Sequence, residues 1–190
     1  MAAAEPIRDK KELKELADYY LQKGQIRNYV LIIMGAYTAL RISDLLQLRW
    51  SDVYDSSNDV FLVHIAITEK KTGKTKTVAL NKKVISALRL YYSRQRGEYI
   101  FANNREDARP ISRVQAWRII HAAADAVGMT GSVSCHSLRK TWGYHAWTCQ
   151  KVSPVVIMDI YNHSNYKITK RYLGIEQDDL DKAYLEMDLI

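Results

Sequence analysis

Residues 162–174 read NHSNYKITKRYLG. A loop at 162–165 leads into a helix that carries Tyr172 and is predicted to end at Gly174, with His163 nine positions before the tyrosine. A phenol loses its proton only near pKa ~10, so it attacks nothing at neutral pH without positive charge and a proton acceptor close by. With 13 tyrosines in the chain, Tyr172 stands out only through its neighbours. Upstream, residues 136–139 read HSLR, and a helix there places His136 and Arg139 on one face. Together with Arg41 and Lys71, these groups describe a site that attacks a phosphodiester through tyrosine.

Working outward from this site, the order of elements is mostly helical. Asp9 precedes a polar-faced helix that stops at Gly24, and a second helix runs from near Arg27 through an apolar segment to Ala39. A short helix follows from Ser43. Residues 59–68, DVFLVHIAIT, read as one strand, and the turn KTGK delivers TKTVAL as its antiparallel partner. Asn81 caps the next helix and Gly97 ends it. EYIFAN reads as a short strand or an extended piece. Pro110 and Ser112 open a helix whose Val114, Trp117, Ile120 and Ala124 form the predicted apolar stripe, and Ser153-Pro154 starts another. The expected fold is mainly α with a small antiparallel β-hairpin, an α+β single domain over residues 1–190. Its tail, 175–190, is predicted to be helical, acidic and amphipathic, with Leu180, Tyr184, Leu185 and Met187 on one stripe that can pack on its own domain or on a neighbour.

A chain of 190 residues, 47% hydrophobic and 26% charged, can bury one sizeable core. Its 28 Lys+Arg against 21 Asp+Glu give +7 and an isoelectric point near 9.3, which favours a polyanionic partner such as nucleic acid. No apolar run approaches the ~20 residues that span a bilayer: YVLIIMGAYTAL, 29–40, ends at Arg41. The N-terminus does not have the pattern of a signal peptide. Cys135 and Cys149 have neither the number nor the spacing of a disulfide framework, nor the CxxC or HExxH pairing of a metal site. Reduced thiols in a cytoplasmic protein, with no metal, no cofactor and no membrane, are the expectation.

Breaking a phosphodiester requires cationic hydrogen-bonding groups aimed at the non-bridging oxygens as charge moves between the attacking and leaving oxygens. Guanidinium suits this, being always charged and shaped as a planar fork that matches two phosphate oxygens. Arg41 sits at the end of an apolar helix, where Asp44 is the nearby carboxylate able to pair with it. His136 and His163 can donate to the phosphate or accept the tyrosine proton. Lys70, Lys71, Lys74 and Lys76 share one hairpin. Lys70, Lys74, Lys76 and Arg113, and with them Arg105, Arg109 and Arg118, are candidates for contacts with backbone phosphates, or a plain solvated face.

The strings TALRISDLLQLRWSDV (38–53), KKTGK (70–74), HSLRKTW (136–142) and NHSNYKITKRYLG (162–174) closely resemble, in order and spacing, the conserved boxes of the tyrosine recombinase or phage integrase family. By position, the resemblance implies that Arg41, His136 and Arg139 clamp the scissile phosphate with His163 completing the site. Tyr172 then forms a 3′-phosphotyrosyl link. Lys71, with Lys74 as competitor, protonates the departing 5′-oxygen, and Asp44 orients Arg41. Neither metal nor ATP is required, since the covalent link stores the bond energy. Two positions depart from the family pattern, Asn162 and Ala39, each standing where glycine is usual. Most family members carry an N-terminal helical DNA-clamping domain; with about forty residues before Arg41, the expectation is no separate clamping domain here, either in a naturally short single-domain recombinase or in a catalytic fragment of a longer one. The implied partner is double-stranded DNA, bound as a homo-tetramer by a chain that is a monomer when free, encoded by a bacterium or phage. The alternative is a DNA-binding regulator of weak catalytic power on the same fold; a topoisomerase-like relaxer is a remoter one.

Overall fold

Asp9 accepts the Lys11 amide at 2.7 Å and starts helix α1 (Lys10–Gln22), while Gly24 beyond its end takes φ +66°. The apolar helix α2 (Ile26–Tyr37) buries Val30, Leu31, Ile32 and Met34 completely. These facts come from a computed structural model that describes residues 4–94, 97–105, 108–173, 175, 181 and 184–188. Two short helices follow, α3 (Ile42–Leu45) and α4 (Trp50–Val53), and then two small antiparallel sheets. Strand β1 (Tyr54–Asp55) pairs with β2 (Val60–Phe61), and β3 (His64–Thr68) with β4 (Thr75–Ala79). The stretch expected as one strand, 59–68, is therefore broken between Phe61 and His64, and its halves serve different sheets.

Asn81 caps α5 (Lys82–Tyr92) by accepting the Val84 amide at 3.0 Å. The segment expected as a short strand or extended piece forms neither: isolated bridges from Tyr99 to Arg49 and from Ala102 to Pro110 flank a turn at residues 100–101. Ser112 caps α6 (Arg113–Ala126), Ser134 caps α7 (Cys135–Thr148), and Ser153 with Pro154 begins α8 (Pro154–Tyr161). Helix α9 (Tyr166–Leu173) carries Tyr172. On α6 the buried face is Ala116, Ile119, Ile120, Ala123 and Ala124, whereas Val114 and Trp117 are exposed. The expected stripe is thus out of phase on its N-terminal side, where Ala116 takes the buried place expected of Val114 and Trp117, while Ile120 and Ala124 are buried as expected.

α2 lies at the centre, packed against α1, α5 and α7. Its Gly35 lets α7 come close: a Cβ there would stand 2.7 Å from Leu138 Cδ1. Leu138 and Arg139 are adjacent on α7, so this seat fixes where the arginine emerges. A smaller cluster of Ala39, Ala146, Ile157, Tyr161 and Leu173 ties α8 and α9 to α7. Of the tail, Leu180 and the helix end at Gly174 lie outside the described residues; Tyr184, Leu185 and Met187 are exposed.

Candidate active site

Arg139 is 1% exposed, an unusual place for a guanidinium. Its Nη1 donates to the Ala39 carbonyl and its Nη2 to the Tyr161 carbonyl at 2.8 Å, while its carbon stands 4.5 Å above the Tyr161 ring centre. Ala39 presents that carbonyl from a left-handed conformation, φ 56°, the backbone for which glycine is the usual residue. Tyr161 is fully buried and donates its hydroxyl to the Arg139 carbonyl at 2.6 Å. Burial holds its phenol far above the ordinary range. Arg41 Nη2 reaches the same Tyr161 carbonyl at 3.4 Å, so one backbone oxygen gathers both arginines.

The carboxylate that pairs with Arg41 is Glu69, whose side chain is wholly buried and whose Oε2 lies 2.5 Å from Arg41 Nη1. Asp44, expected in that role, accepts the Lys70 amide at 3.1 Å and the Ser43 hydroxyl at 3.4 Å instead. Glu69 also takes Lys76 Nζ at 3.2 Å, Asn162 Nδ2 at 2.9 Å and Thr72 Oγ1 at 2.9 Å. Burial alone pushes its carboxyl up, but the donors from Arg41, Asn162, Thr72 and Lys76 outweigh it and hold the group at about 2. Lys76, which also donates to the Ile160 carbonyl at 2.9 Å, is thereby committed to the interior.

Tyr172 lies at the edge of this cationic floor. Its hydroxyl is hydrogen-bonded to His136 Nε2, its ring is 4.6 Å from His163 and 5.2 Å from Tyr161, and Arg139 and Lys140 lie 6.0 and 5.6 Å from its centre. Of the two histidines that can take the tyrosine proton, the contact is made by His136. His163 points its Nδ1 to the buried Thr169 hydroxyl at 3.0 Å. Desolvation and the cations Arg139 and Arg41 lower both imidazoles, with Lys140 and Lys71 also acting on His136 and His163 reaching about 4. Both are neutral at pH 7, and a neutral imidazole can accept a proton.

An open cleft of about 1060 Å³ runs over this floor. Arg41, His136, His163 and Tyr172 line it, together with Lys70, Lys71, Lys74 and Arg113 from the hairpin turn and the start of α6, and Arg109 beside them. Lys71 is exposed at the tip of the β3–β4 turn. Arg105 and Arg118 are exposed but are not among the cleft's lining residues. Asn162 has φ 54°, ψ 46°, so it supplies the left-handed turn that glycine would. Sequence reasoning missed Glu69, Tyr161 and the inward role of Lys76. The signal for two of them was strand alternation: Ile65 and Ile67 share one face of β3, Glu69 follows one residue past its end in the same alternation, and Lys76 stands opposite Ile67.

The low His163 pKa makes the fold sensitive to acid. Between about 6.5 and about 4 the unfolded chain binds a proton that the folded site refuses, so stability falls as pH drops through that window. Glu69 adds a second loss, its contribution present above 4.5 and removed as pH falls toward about 2. Urea midpoints should decrease from pH 7 to pH 4.5, and less steeply in His163→Asn; a midpoint that is level across this range would contradict the assignment.

The description of the phage integrase family matches residues 8–178 of this chain. YoeC of Bacillus subtilis, described as a probable integrase/recombinase, is 37% identical over 186 residues, covering 97% of both chains. The tyrosine recombinase XerA of Pyrococcus furiosus is 21% identical over 182 residues, 94% of this chain and 60% of that one. Among solved structures, a XerA recombinase superposes with a TM-score of 0.77 at 21% identity, over 97% of this chain and 66% of that one. The Tn1549 transposon integrase in complex with transposon right end DNA gives 0.72 at 18% identity, over 98% and 66%. The shared fold is that of the tyrosine recombinase catalytic domain.

Proposed function

The chain belongs to the phage integrase family, and from that premise we propose that it is a site-specific DNA recombinase that cuts and rejoins double-stranded DNA through Tyr172. The observation that carries the reading is the placement of the Tyr172 hydroxyl on His136, beside two arginines that converge on a single carbonyl. Arg41 and Arg139 hold the non-bridging oxygens of the scissile phosphate and offset the charge that accumulates there. His136 Nε2 takes the phenolic proton as the Tyr172 oxygen bonds to phosphorus. The bond from phosphorus to the 5′-oxygen breaks, and Lys71 delivers a proton to that oxygen. A 3′-phosphotyrosyl link and a free 5′-hydroxyl result. Attack by another 5′-hydroxyl reverses the sequence and joins the new strand.

Lys70, Lys74, Arg109 and Arg113 along the cleft supply the charge that binds the duplex backbone, with affinity falling steeply as salt rises. We assign the active assembly as a tetramer on DNA formed from free monomers in the cytoplasm. Two duplexes must be cut and rejoined together, and the exposed Tyr184, Leu185 and Met187 are available to a neighbour.

The test is to incubate the purified protein with nicked fragments of the source organism's genomic DNA, where a short released strand traps the intermediate. Sequencing the DNA recovered covalently on protein should return junctions clustered at a discrete site. No covalent adduct on any fragment, with binding retained, would leave a DNA-binding regulator in place of the enzyme.

A further inference from the structure

The β3–β4 turn is held by far more than a hairpin needs. Within it, the Gly73 amide donates to the Glu69 carbonyl at 2.8 Å and the Glu69 amide to the Lys74 carbonyl at 3.0 Å. The Glu69 side chain then folds back to accept Thr72 Oγ1 at 2.9 Å while it pairs with Arg41. From the other side of the cleft, Asn162 Nδ2 donates to Glu69 Oε2 at 2.9 Å and reaches Thr72 Oγ1 at 3.3 Å. A glycine at 162 would keep the left-handed turn and make neither bond. Lys71 lies inside this clasp, one residue from Thr72 and two from Glu69, with its own side chain exposed.

We propose that Glu69 and Asn162 are positioning residues, a latch that docks the Lys71 turn onto the arginine floor so that the ammonium stands ready at the leaving oxygen. This rests on the recombinase reading above and adds how its acid is placed. A lysine on a free hairpin tip explores a large volume and loses rotamer entropy when it finds the phosphate; a turn tied at both ends limits that search. The same carboxylate orients Arg41, so the acid and the clamp are set by one group. Because Glu69 is wholly buried, its bonds to Asn162 and Thr72 are not replaced by water.

The duplex recovered from genomic DNA can be synthesised with oxygen or with sulfur as the bridging 5′ atom of the scissile phosphate. A thiolate, whose conjugate acid has a pKa near ~8.5, leaves without a proton, so the sulfur substrate does not need Lys71. For Asn162→Gly we expect cleavage of the oxygen substrate to slow by roughly 30-fold, part of the ~100-fold or more that a general acid supplies. On the sulfur substrate it should match the wild-type protein. Lys71→Ala should show a larger loss with the same rescue. Glu69→Gln, which also releases Arg41, should stay slow on both. Mere loss of stability would slow Asn162→Gly on both substrates alike, and that result overturns the latch. So does an Asn162→Gly protein as fast as wild type on oxygen. If the wild-type protein cleaves neither duplex, the recombinase reading fails and takes the latch with it, an outcome distinct from the failure of the latch alone.

Discussion

Tyr172→Phe should form no covalent adduct with DNA while folding and binding DNA as the wild type does. The substitution removes one oxygen. The ring that packs between Tyr161, His163 and His136 stays, and the lost hydrogen bond to His136 at the cleft is worth about 1 kcal/mol at most. For a chain of this size that is a melting shift of about 2–4 °C. The chemical loss is of another order, because among the described residues no second nucleophile occupies the same place. Tyr161, the nearest phenol, points its hydroxyl away to the Arg139 carbonyl and is held protonated by burial. Adduct formation should fall by at least about 10⁴-fold, the scale on which removing a nucleophile acts. Measured on denaturing gels with the recovered duplex, a persistent adduct would move the nucleophile elsewhere on the chain. Loss of DNA binding together with the adduct would mean that the hydroxyl holds the fold, contrary to its exposed position at the cleft.

How much of this site could be read from residues alone depended on whether the relevant distances run along a helix or across space. His136 and Arg139 are three apart on α7, and helical geometry fixes their common face without further information. His163 and Tyr172 are joined by a short loop and most of α9, so their spacing also survives into the fold. Arg41, expected at the end of the apolar helix, is instead the N-cap of α3, four residues past the end of α2 at Tyr37, and it was given the wrong carboxylate. Asp44 is near in sequence, yet Glu69 reaches Arg41 from the end of β3, 28 residues away in the chain, and a contact of that kind depends on how the hairpin docks.

Lys76 shows a different limit. Among four lysines in one hairpin, sequence neighbourhood made them look equivalent, but the pleat does not: Lys76 and Val78 alternate on the face that opposes Ile67 and Ile65, while Thr75 meets Thr68 on the other. Alternation was available in the sequence and was outweighed by charge. On α6 the helical spacing of Val114 and Trp117 suggested burial, yet both are exposed and the small Ala116 and Ala123 share the packed face with Ile119, Ile120 and Ala124. Close helix packing rewards small side chains, which a reading by hydrophobicity undervalues.

Gly143→Ala should damage the site from beneath, without touching any group that meets DNA. A Cβ at 143 would stand 2.3 Å from the Tyr161 hydroxyl oxygen and 3.0 Å from two ring carbons, so the ring must move. Tyr161 is the platform of the clamp: its carbonyl binds both arginines, its ring lies under Arg139, and its hydroxyl returns to the Arg139 backbone. Alanine is the better helix former by about 1 kcal/mol, but overpacking a full core costs roughly 1–3 kcal/mol, and the displaced hydroxyl forfeits a buried bond worth about 1 kcal/mol. The net loss of about 1–3 kcal/mol should lower the melting temperature by several degrees. Cleavage should suffer more, since moving catalytic groups by about 1 Å costs on the order of 100-fold. Adding Tyr161→Phe removes the closest of the clashing atoms and should recover part of the lost stability, a coupling that separate, additive defects would not produce. A Gly143→Ala protein that melts and cleaves like the wild type would show that the Tyr161 platform is not what holds the two arginines in place.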